Sequence, residues 1–323
     1  MRIAIERRAD PRCRPFLEAV AQNCRQLGHD VVAWAGPYSR RLKFVASPLP
    51  SCDLAIVWNG LNHRYVRPLR HLRQRRVPVL FAELGWYPQK GTYQLDPSGI
   101  NFGASWVREP VEVATQTSLP VPDGHDLLLL LQVEGDTQIT HYSPHFRDMA
   151  ELIHHVGCHS QLPVRVRCHP LSRPSMAARR LLRRTNCRID RSPSLREALH
   201  GACAVTCINS SAALEAMDAG LPVLSYGRSV FEHPEAVYVM DGTAEQTHAV
   251  TSELAAGQCS LNRTAMDAVI ARVRAHQIPI ANLPRQLPDL LETAVTANGF
   301  SGSFSGNHCI AADRYPSKVS TAP

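Results

Sequence analysis

The sequence has no uncharged apolar run of the length that a membrane span requires, which is about 18 residues. Its 323 residues begin with MRIAIERRAD, a stretch without the apolar core of a secretory signal peptide. The ten cysteines include no CxxC pair, and their scattered positions predict reduced core thiols instead of a disulfide framework, with zinc disfavoured. These absences predict a cytoplasmic globular protein.

Hydrophobic residues make up 44% of the chain, enough to bury a large core across two domains. Short apolar runs such as RIAIE and DVVAWA alternate with amphipathic stretches, and the second half repeats this βαβ rhythm. We therefore predict an α/β fold with two doubly wound, Rossmann-like domains. The aperiodic segment TQTSLPVPDGHD predicts the linker between domains at residues 1–122 and 123–298, and the composition of residues 299–323 predicts a disordered tail.

Positive charge is in excess, and the formal net charge of +7 indicates an anionic partner. The segment RYVRPLRHLRQRR, residues 64–76, concentrates six arginines on a predicted helix with Val66, Leu69 and Leu72 on one face. Its two interpretations are a solvated helix face and a surface for an anionic membrane or an acidic glycan. Nucleic acid is disfavoured because the sequence has neither zinc-finger spacing nor aromatic residues interleaved with basic ones.

Acidic residues follow two predicted strands, at the carboxyl ends where open α/β sheets bind ligands. Glu83 precedes a loop of glycine, aromatic residues and proline, surroundings that raise a carboxyl pKa and suit a general acid. Asp136 follows LLLLLQV, with Glu134 and Gly135 before it. Taken singly, Glu83 could serve in a salt bridge and Asp136 in a turn or cap. As a pair they supply the two carboxylates that glycosyl chemistry uses.

A third predicted strand, PVRVRC, runs directly into His169 and Pro170. The proline disfavours a helix at the histidine and leaves the imidazole at the sheet edge, where it can donate to a phosphate. Taken alone, HP is only a turn dipeptide.

A fourth predicted strand, CAVTCI, is followed by Asn209, Ser210 and Ser211 at the start of a predicted helix. Hydroxyls and free backbone N–H groups there form either an anion site or an ordinary N-cap. Glu215 lies four residues after Ser211, outside the capping-box spacing, so it can reach a ribose from one turn inside the helix.

The segment HYSPHFRDMAELIHHVGCHS is rich in side chains that ligate metals. His155 and His159 have the i, i+4 spacing of one helix face, which a zinc site would use. The favoured interpretation places the histidines on a helix surface near the cleft, where some help to bind a sugar carboxylate and none is catalytic. The cluster comprises His141, His145, His154, His155, Cys158 and His159.

The order of these motifs, from Glu83 to Gly227, resembles a known family. An HP at a strand end, followed about 40 residues later by SS and a helical glutamate, is similar to the CMP-sugar site of bacterial GT-B sialyltransferases and Kdo transferases. ELGW and QVEGDTQI resemble the E-D-G-type loop and the QVE-D-D-S-I-type segment of retaining β-Kdo transferases of capsule and O-antigen assembly. Leu84 and Gly135 each stand where that family has an acid, and only one such module is present.

The resemblance implies a GT-B fold whose two domains face a cleft. It also implies transfer of 3-deoxy-manno-octulosonic acid (Kdo) from CMP-β-Kdo to a glycan or glycolipid acceptor with retention. Asp136 is the implied nucleophile, which forms a glycosyl-enzyme, and Glu83 is the implied acid/base. No metal or other cofactor is expected, because the phosphate site and a helix dipole offset the charge. The residues implied to bind the CMP-sugar are Gln132, His169, Pro170, Asn209, Ser210, Ser211 and Glu215.

Two alternatives remain open at the level of sequence. One is an inverting transferase of the CMP-sialic-acid type, with Asp136 as general base. The other is a non-catalytic nucleotide-sugar-binding protein, which would keep the phosphate site without needing both carboxylates. In every case the expected location is cytoplasmic, with peripheral contact at the inner membrane where a lipid-linked acceptor would lie.

Overall fold

The computed structural model describes residues 1–37, 49–113, 117–120, 122–183, 185 and 187–300. The chain divides into two compact units. The first contains Met1–Glu83, Leu95–Ile100 and residues 280–300, and the second contains Leu84–Gln94 and Asn101–Pro279. Most of the predicted tail, residues 301–323, lies outside the described residues.

This division does not follow the single predicted boundary after residue 122. The segment before that boundary is held in the second unit, where Ser118 forms an isolated β-bridge with Asn262 and Leu119 is buried in the core. The last helix instead contacts the first helix of the chain, within the first unit. Both contacts join residues far apart in sequence, which local patterning does not reveal.

The strands are numbered in chain order. They are β1 (Arg2–Glu6), β2 (Asp30–Trp34), β3 (Leu54–Trp58), β4 (Val79–Leu84), β5 (Thr92–Asp96), β6 (Asp126–Leu130), β7 (Val164–Arg167), β8 (Cys187–Ile189), β9 (Ala202–Cys207), β10 (Val223–Ser225), β11 (Tyr238–Val239) and β12 (Ile278–Pro279).

The α-helices connect and flank these strands. They are α1 (Arg14–Gln26), α2 (Val66–Gln74), α3 (Thr137–Tyr142), α4 (Met149–His159), α5 (Met176–Leu181), α6 (Leu195–His200), α7 (Ala212–Asp218), α8 (Ala244–Ala255), α9 (Arg263–Ala275) and α10 (Leu283–Phe300). Since α10 runs through Phe300, residues 299 and 300 of the predicted tail are helical.

The strands form two six-stranded sheets. The first has the order β12-β5-β4-β3-β1-β2, with β2, β1, β3 and β4 parallel and β12 antiparallel to β5. The second has the order β11-β10-β9-β6-β7-β8, and all of its neighbouring strands are parallel. The predicted α/β fold with two parallel sheets is confirmed.

The leucine run forms β6, the strand of the second sheet that lies between β7 and β9. Leu127, Leu128 and Leu129 are each 0% exposed, so side chains on both faces of the strand are buried. The predicted run continues to Val133, whereas β6 ends at Leu130. The pairing closes with a hydrogen bond from the Leu131 N–H to the Arg167 carbonyl (3.0 Å), after which the chain leaves the sheet.

The sequence predicts neither a membrane span nor a disulfide framework. Within the part of the chain that the structure describes, no helix has both the length and the apolar character needed to cross a membrane. The nine cysteines in that part are free thiols, and five of them are buried: Cys13, Cys24, Cys52, Cys203 and Cys207.

Replacing Leu129 by Ala removes a buried side chain from the middle of β6. The lost burial and the resulting cavity are expected to lower the free energy of unfolding by about 2–5 kcal/mol. Leu171→Ala is the matched control, because Leu171 is 72% exposed, and should change that free energy by less than about 0.5 kcal/mol. Urea-induced unfolding measures both variants. Equal losses would contradict the placement of Leu129 in the core.

Candidate active site

Three neighbouring strands of the second sheet deliver polar residues to one edge. Because β7, β6 and β9 are parallel and adjacent, residues 168–170, 131–136 and 208–211 all emerge at their carboxyl ends. The chain adds β7 and β8 on one side of β6 and then β9, β10 and β11 on the other, so the winding reverses between β6 and β9. Open α/β sheets bind ligands outside such a switch point.

Gln132 and Asn209 join the loops on the two sides of the switch point. The Gln132 Nε2 donates to Asn209 Oδ1 (2.9 Å), and the Asn209 backbone N–H donates to Gln132 Oε1 (3.1 Å). The Asn209 Nδ2 also donates to the carbonyls of Gln138 (3.1 Å) and Arg228 (3.2 Å). Both side chains are buried. Their polar atoms hold the loops together, and direct contact of either residue with the donor stays a prediction.

Asp136 is the N-cap residue of α3. Its Oδ1 accepts from the Gln138 backbone N–H (2.9 Å) and from the Thr137 hydroxyl (3.4 Å). Gly135 has φ 73°, a left-handed conformation that reverses the chain just before the aspartate at little steric cost. The capping interpretation therefore holds for one oxygen. The second oxygen, Oδ2, accepts no hydrogen bond within the described residues and remains available to a ligand.

His169 has a defined tautomer when it is neutral. Its Nδ1 accepts from the Leu171 backbone N–H (3.1 Å), so the proton of the neutral ring is on Nε2. Burial lowers the pKa of His169, and the negative charge of Asp136 partly opposes this shift. Folding thus disfavours protonation, and His169 contributes less to stability as the pH falls through the ordinary histidine range. Near neutral pH the ring presents an uncharged N–H donor. Pro170 beside it is exposed.

The segment after β9 carries two hydroxyls at the start of α7. The Ser210 Oγ accepts from the Ala212 backbone N–H (3.3 Å), as an N-cap does. Ser211 is the N-cap residue by position, but its side chain makes no capping hydrogen bond. Glu215 is exposed on the first turn of α7, as the absence of a capping box predicts. Ser211 is half-buried and Glu215 is exposed, so solvent reaches both residues.

Glu134 and Arg228 are prominent in this region, although the sequence did not single them out as site residues. The Glu134 Oε1 is buried without a hydrogen-bond partner, and burial raises the pKa of this carboxyl, partly opposed by the Met149 backbone N–H. Arg228 follows β10, forms an ion pair with Glu232 (2.9 Å) and lies over the ring of Phe102. In the sequence, only the position of Glu134 after a predicted strand pointed to this residue. Arg228 could not be found in this way, because its place depends on a contact between segments that are distant in sequence.

Glu83 belongs to the first unit, at the end of β4. Its Oε2 accepts from the Asn59 Nδ2 (2.8 Å), and Asn59 follows β3, the neighbouring strand. Asn59 has φ 67°, and its backbone N–H donates to the Ala82 carbonyl (2.7 Å), which fixes the amide beside the carboxylate. Arg12 also interacts electrostatically with Glu83, although the raised pKa of Arg12 is due mainly to its hydrogen bond with Asp10.

A metal centre would need several ligating side chains in one place. The described residues contain no group of three or more histidine, cysteine, aspartate or glutamate side chains that could hold a metal ion. The spacing of His155 and His159 is therefore not completed by further ligands in that part of the chain.

Structural comparison shows what this fold shares with solved proteins. The beta Kdo 2,7 transferase of Thermosulfurimonas dismutans KpsC aligns with TM-score 0.53 at 15% identity, over 90% of this chain and 100% of that one. The beta Kdo 2,4 transferase of the same KpsC aligns with TM-score 0.47 at 14% identity, over 84% and 90% of the two chains. The fold of this protein is that of the GT-B glycosyltransferases.

Sequence comparison gives the family. A protein-family sequence model described as "Capsule polysaccharide biosynthesis protein" matches residues 112–277, just over half of the chain. The chain belongs to this family, as the order of its motifs predicts. No curated protein sequence matches it.

Replacing Asp136 by Asn removes the negative charge that opposes the lowered pKa of His169. We therefore expect the pKa of His169 to fall further. An NMR titration that follows the carbon-bound protons of the His169 ring would measure this change. Asp267→Asn is the control, because Asp267 is an exposed acid that pairs with Arg263 and does not act on His169. An unchanged or higher pKa of His169 in Asp136→Asn would mean that the two side chains do not interact.

Proposed function

We propose that this protein transfers Kdo from CMP-β-Kdo to a glycan acceptor with retention of configuration, in the synthesis of a surface polysaccharide. The proposed reaction requires no metal ion. The observation that carries the proposal is the meeting of Asp136, His169 and the Asn209–Ser211 segment at the ends of β6, β7 and β9. Membership of a capsule polysaccharide family supports the biological setting. The motif order supports Kdo as the donor sugar, and the fold is shared with a protein named as a beta Kdo 2,7 transferase.

The phosphate of the donor would be bound by neutral groups. The tautomer of His169 offers an Nε2–H, and the accessible hydroxyl of Ser211 offers a second donor. Ser210 can donate its hydroxyl proton while its oxygen accepts from Ala212. The exposed Glu215 carboxylate is placed on the first turn of α7 to accept from a ribose hydroxyl.

In the first chemical step, the free Oδ2 of Asp136 attacks the anomeric carbon of Kdo. The bond to the phosphate oxygen breaks and its electron pair leaves with CMP, which needs no proton because the phosphate is a stable anion. The product is a glycosyl-aspartate. The cap on Oδ1 fixes the carboxylate while leaving Oδ2 available, and such preorganisation favours attack at a crowded carbon.

In the second step, the acceptor hydroxyl attacks the same carbon and the carboxylate of Asp136 leaves. Glu83 accepts the proton from that hydroxyl as general base. Two successive displacements restore the original configuration. The hydrogen bond from Asn59 would hold the Glu83 carboxylate in one orientation.

Incubation with CMP-Kdo alone should produce a covalent Kdo adduct on Asp136, detectable by intact-protein mass spectrometry and peptide mapping. Asp136→Ala should abolish both the adduct and transfer while still binding CMP. Glu83→Gln should slow transfer by roughly 10²–10⁴-fold and lengthen the lifetime of the adduct, because the second step loses its base. An adduct on another residue, or a product of inverted configuration, would contradict the role of Asp136.

Calorimetric titration with CMP separates donor binding from chemistry. His169→Ala should weaken CMP binding by about tenfold or more, the effect of losing one hydrogen bond to a charged group. His248→Ala is the matched control, because His248 is an exposed histidine of α8 that pairs with Gln161. Unchanged CMP affinity in a folded His169→Ala protein would remove His169 from the donor site.

The arginine segment would bring the protein to a lipid-linked acceptor at the cytoplasmic face of the inner membrane. In α2 the Leu72 side chain is buried, whereas Arg67, Arg70 and Arg73 are exposed. The segment 64–76 contains no acidic residue that would neutralise them. A basic residue near an anionic membrane surface contributes about 1 kcal/mol of attraction.

Flotation with anionic and neutral liposomes tests this surface. We expect the protein to float with anionic liposomes only, and high salt to release it. Replacing Arg67, Arg70 and Arg73 by Glu should abolish flotation. The charge-matched control replaces Arg179, Arg180 and Arg183, exposed near α5, and should still float. Equal recovery with both kinds of liposome, or equal loss in both triple variants, would exclude α2 as the contact.

A further inference from the structure

A cavity of about 490 Å³ that is open to solvent lies beside α4 and the loop that precedes it. This volume is within the range of small-molecule sites. Its lining is unusual because five of its seven side chains are histidine or arginine. The lining residues are His145, Phe146, Arg147, Glu151, His154, His155 and His159.

His155 is held rigidly at this cavity. Its Nε2 is 2.8 Å from the Thr247 hydroxyl, and its ring packs against Phe146 and Tyr226 at centroid distances of 5.0 and 5.5 Å. The same hydroxyl lies 2.9 Å from the Thr243 carbonyl and 2.7 Å from the Tyr226 hydroxyl. When it donates to the Thr243 carbonyl, it accepts from the Nε2–H of His155. In that arrangement the His155 Nδ1 becomes a donor only when the ring is protonated.

The other basic groups of the cavity have few hydrogen-bond partners among the described residues. His145, His159 and the guanidinium of Arg147 make no hydrogen bond or ion pair within the described residues. His154 has only a weak contact with the Cys158 sulfur (3.6 Å). The carboxylate of Glu151 accepts from the Arg147 backbone N–H (2.6 Å). A ligand that accepts several hydrogen bonds and carries negative charge would satisfy these groups.

We propose that this cavity is a second binding site, separate from the donor site, for the carboxylate of an acidic sugar. The choice of a sugar acid rests on the proposed function, since a Kdo-containing glycan would carry such a carboxylate. Phosphate shares the chemistry of an anionic oxygen ligand, so it is the competing source that the experiment must distinguish.

Binding at this site is linked to protonation. His155 faces His145, His154 and His159, as well as Asp241, which precedes α8. Burial and the three neighbouring histidines lower the pKa of His155, while Asp241 opposes them. An anion would raise that pKa by favouring the charged ring. Its affinity should therefore increase as the pH falls, by about tenfold per pH unit when one proton is taken up.

Calorimetric titration of the full chain with Kdo, inorganic phosphate and mannose tests the site at about pH 6 and about pH 7.5. Saturating CMP is present throughout to occupy the donor site. We expect Kdo to bind at least about tenfold more tightly at the lower pH, and mannose, which is neutral, not to bind. Phosphate should bind more weakly than Kdo.

The double variant His155→Gln, His159→Gln should lose Kdo binding. Glutamine at position 155 can still donate to Thr247, and unfolding curves confirm that the variant folds. His248→Gln is the matched control and should bind Kdo like the parent. Binding that is unaffected by the double variant, independent of pH, or stronger for phosphate than for Kdo would overturn the proposal.

A separate titration of the parent protein with CMP tests the proposed function. Absence of CMP binding in that titration would count against the proposed function and not against this site.

Discussion

The candidate site depends on the burial of β6 between β7 and β9. Leu127, Leu128 and Leu129 are removed from water, and each such side chain contributes about 1.5–3 kcal/mol of hydrophobic stabilisation. A one-residue slip would exchange the faces of the strand, and the dense packing on both sides resists it. The loop that begins at Leu131 therefore emerges at a fixed place between the ends of the two neighbouring strands.

Apolar burial fixes the strand but not the polar loops that follow it. The reciprocal bonds between Gln132 and Asn209 supply that restraint, and their burial makes an unpaired amide there costly. Local hydrogen bonds then occupy one polar atom of each functional side chain. The Asp136 Oδ1 and the His169 Nδ1 accept backbone hydrogen bonds that fix the geometry of the two side chains. The Asp136 Oδ2 and the His169 Nε2 make no hydrogen bond to the residues that the structure describes.

The sequence predicted those features that depend on local pattern. Apolar runs located β1, β3, β6 and β9, and the rule that ligands bind at strand ends placed Asp136, His169 and Ser211 at one edge. The two-residue strand β12 was missed because it is defined by pairing with β5, which lies about 185 residues earlier in the chain. The predicted boundary after residue 122 differs from the division into compact units for a similar reason. The buried Gln277 accepts from the backbone N–H groups of Trp86 and Tyr87, about 190 residues away, and no periodicity signals that bond.

The neutral character of the proposed phosphate site bears on how the proposed reaction would be accelerated. The phosphate of a CMP-sugar carries one negative charge, and departure of CMP adds a second. A neutral donor such as the Nε2–H of His169 would bind the first charge modestly, and its hydrogen bond would become stronger as the second charge develops. The Leu171 N–H already holds the ring in the required tautomer, so no reorganisation is needed during the step. Stabilisation would thus be greater in the transition state than in the ground state, which is the condition for a faster reaction.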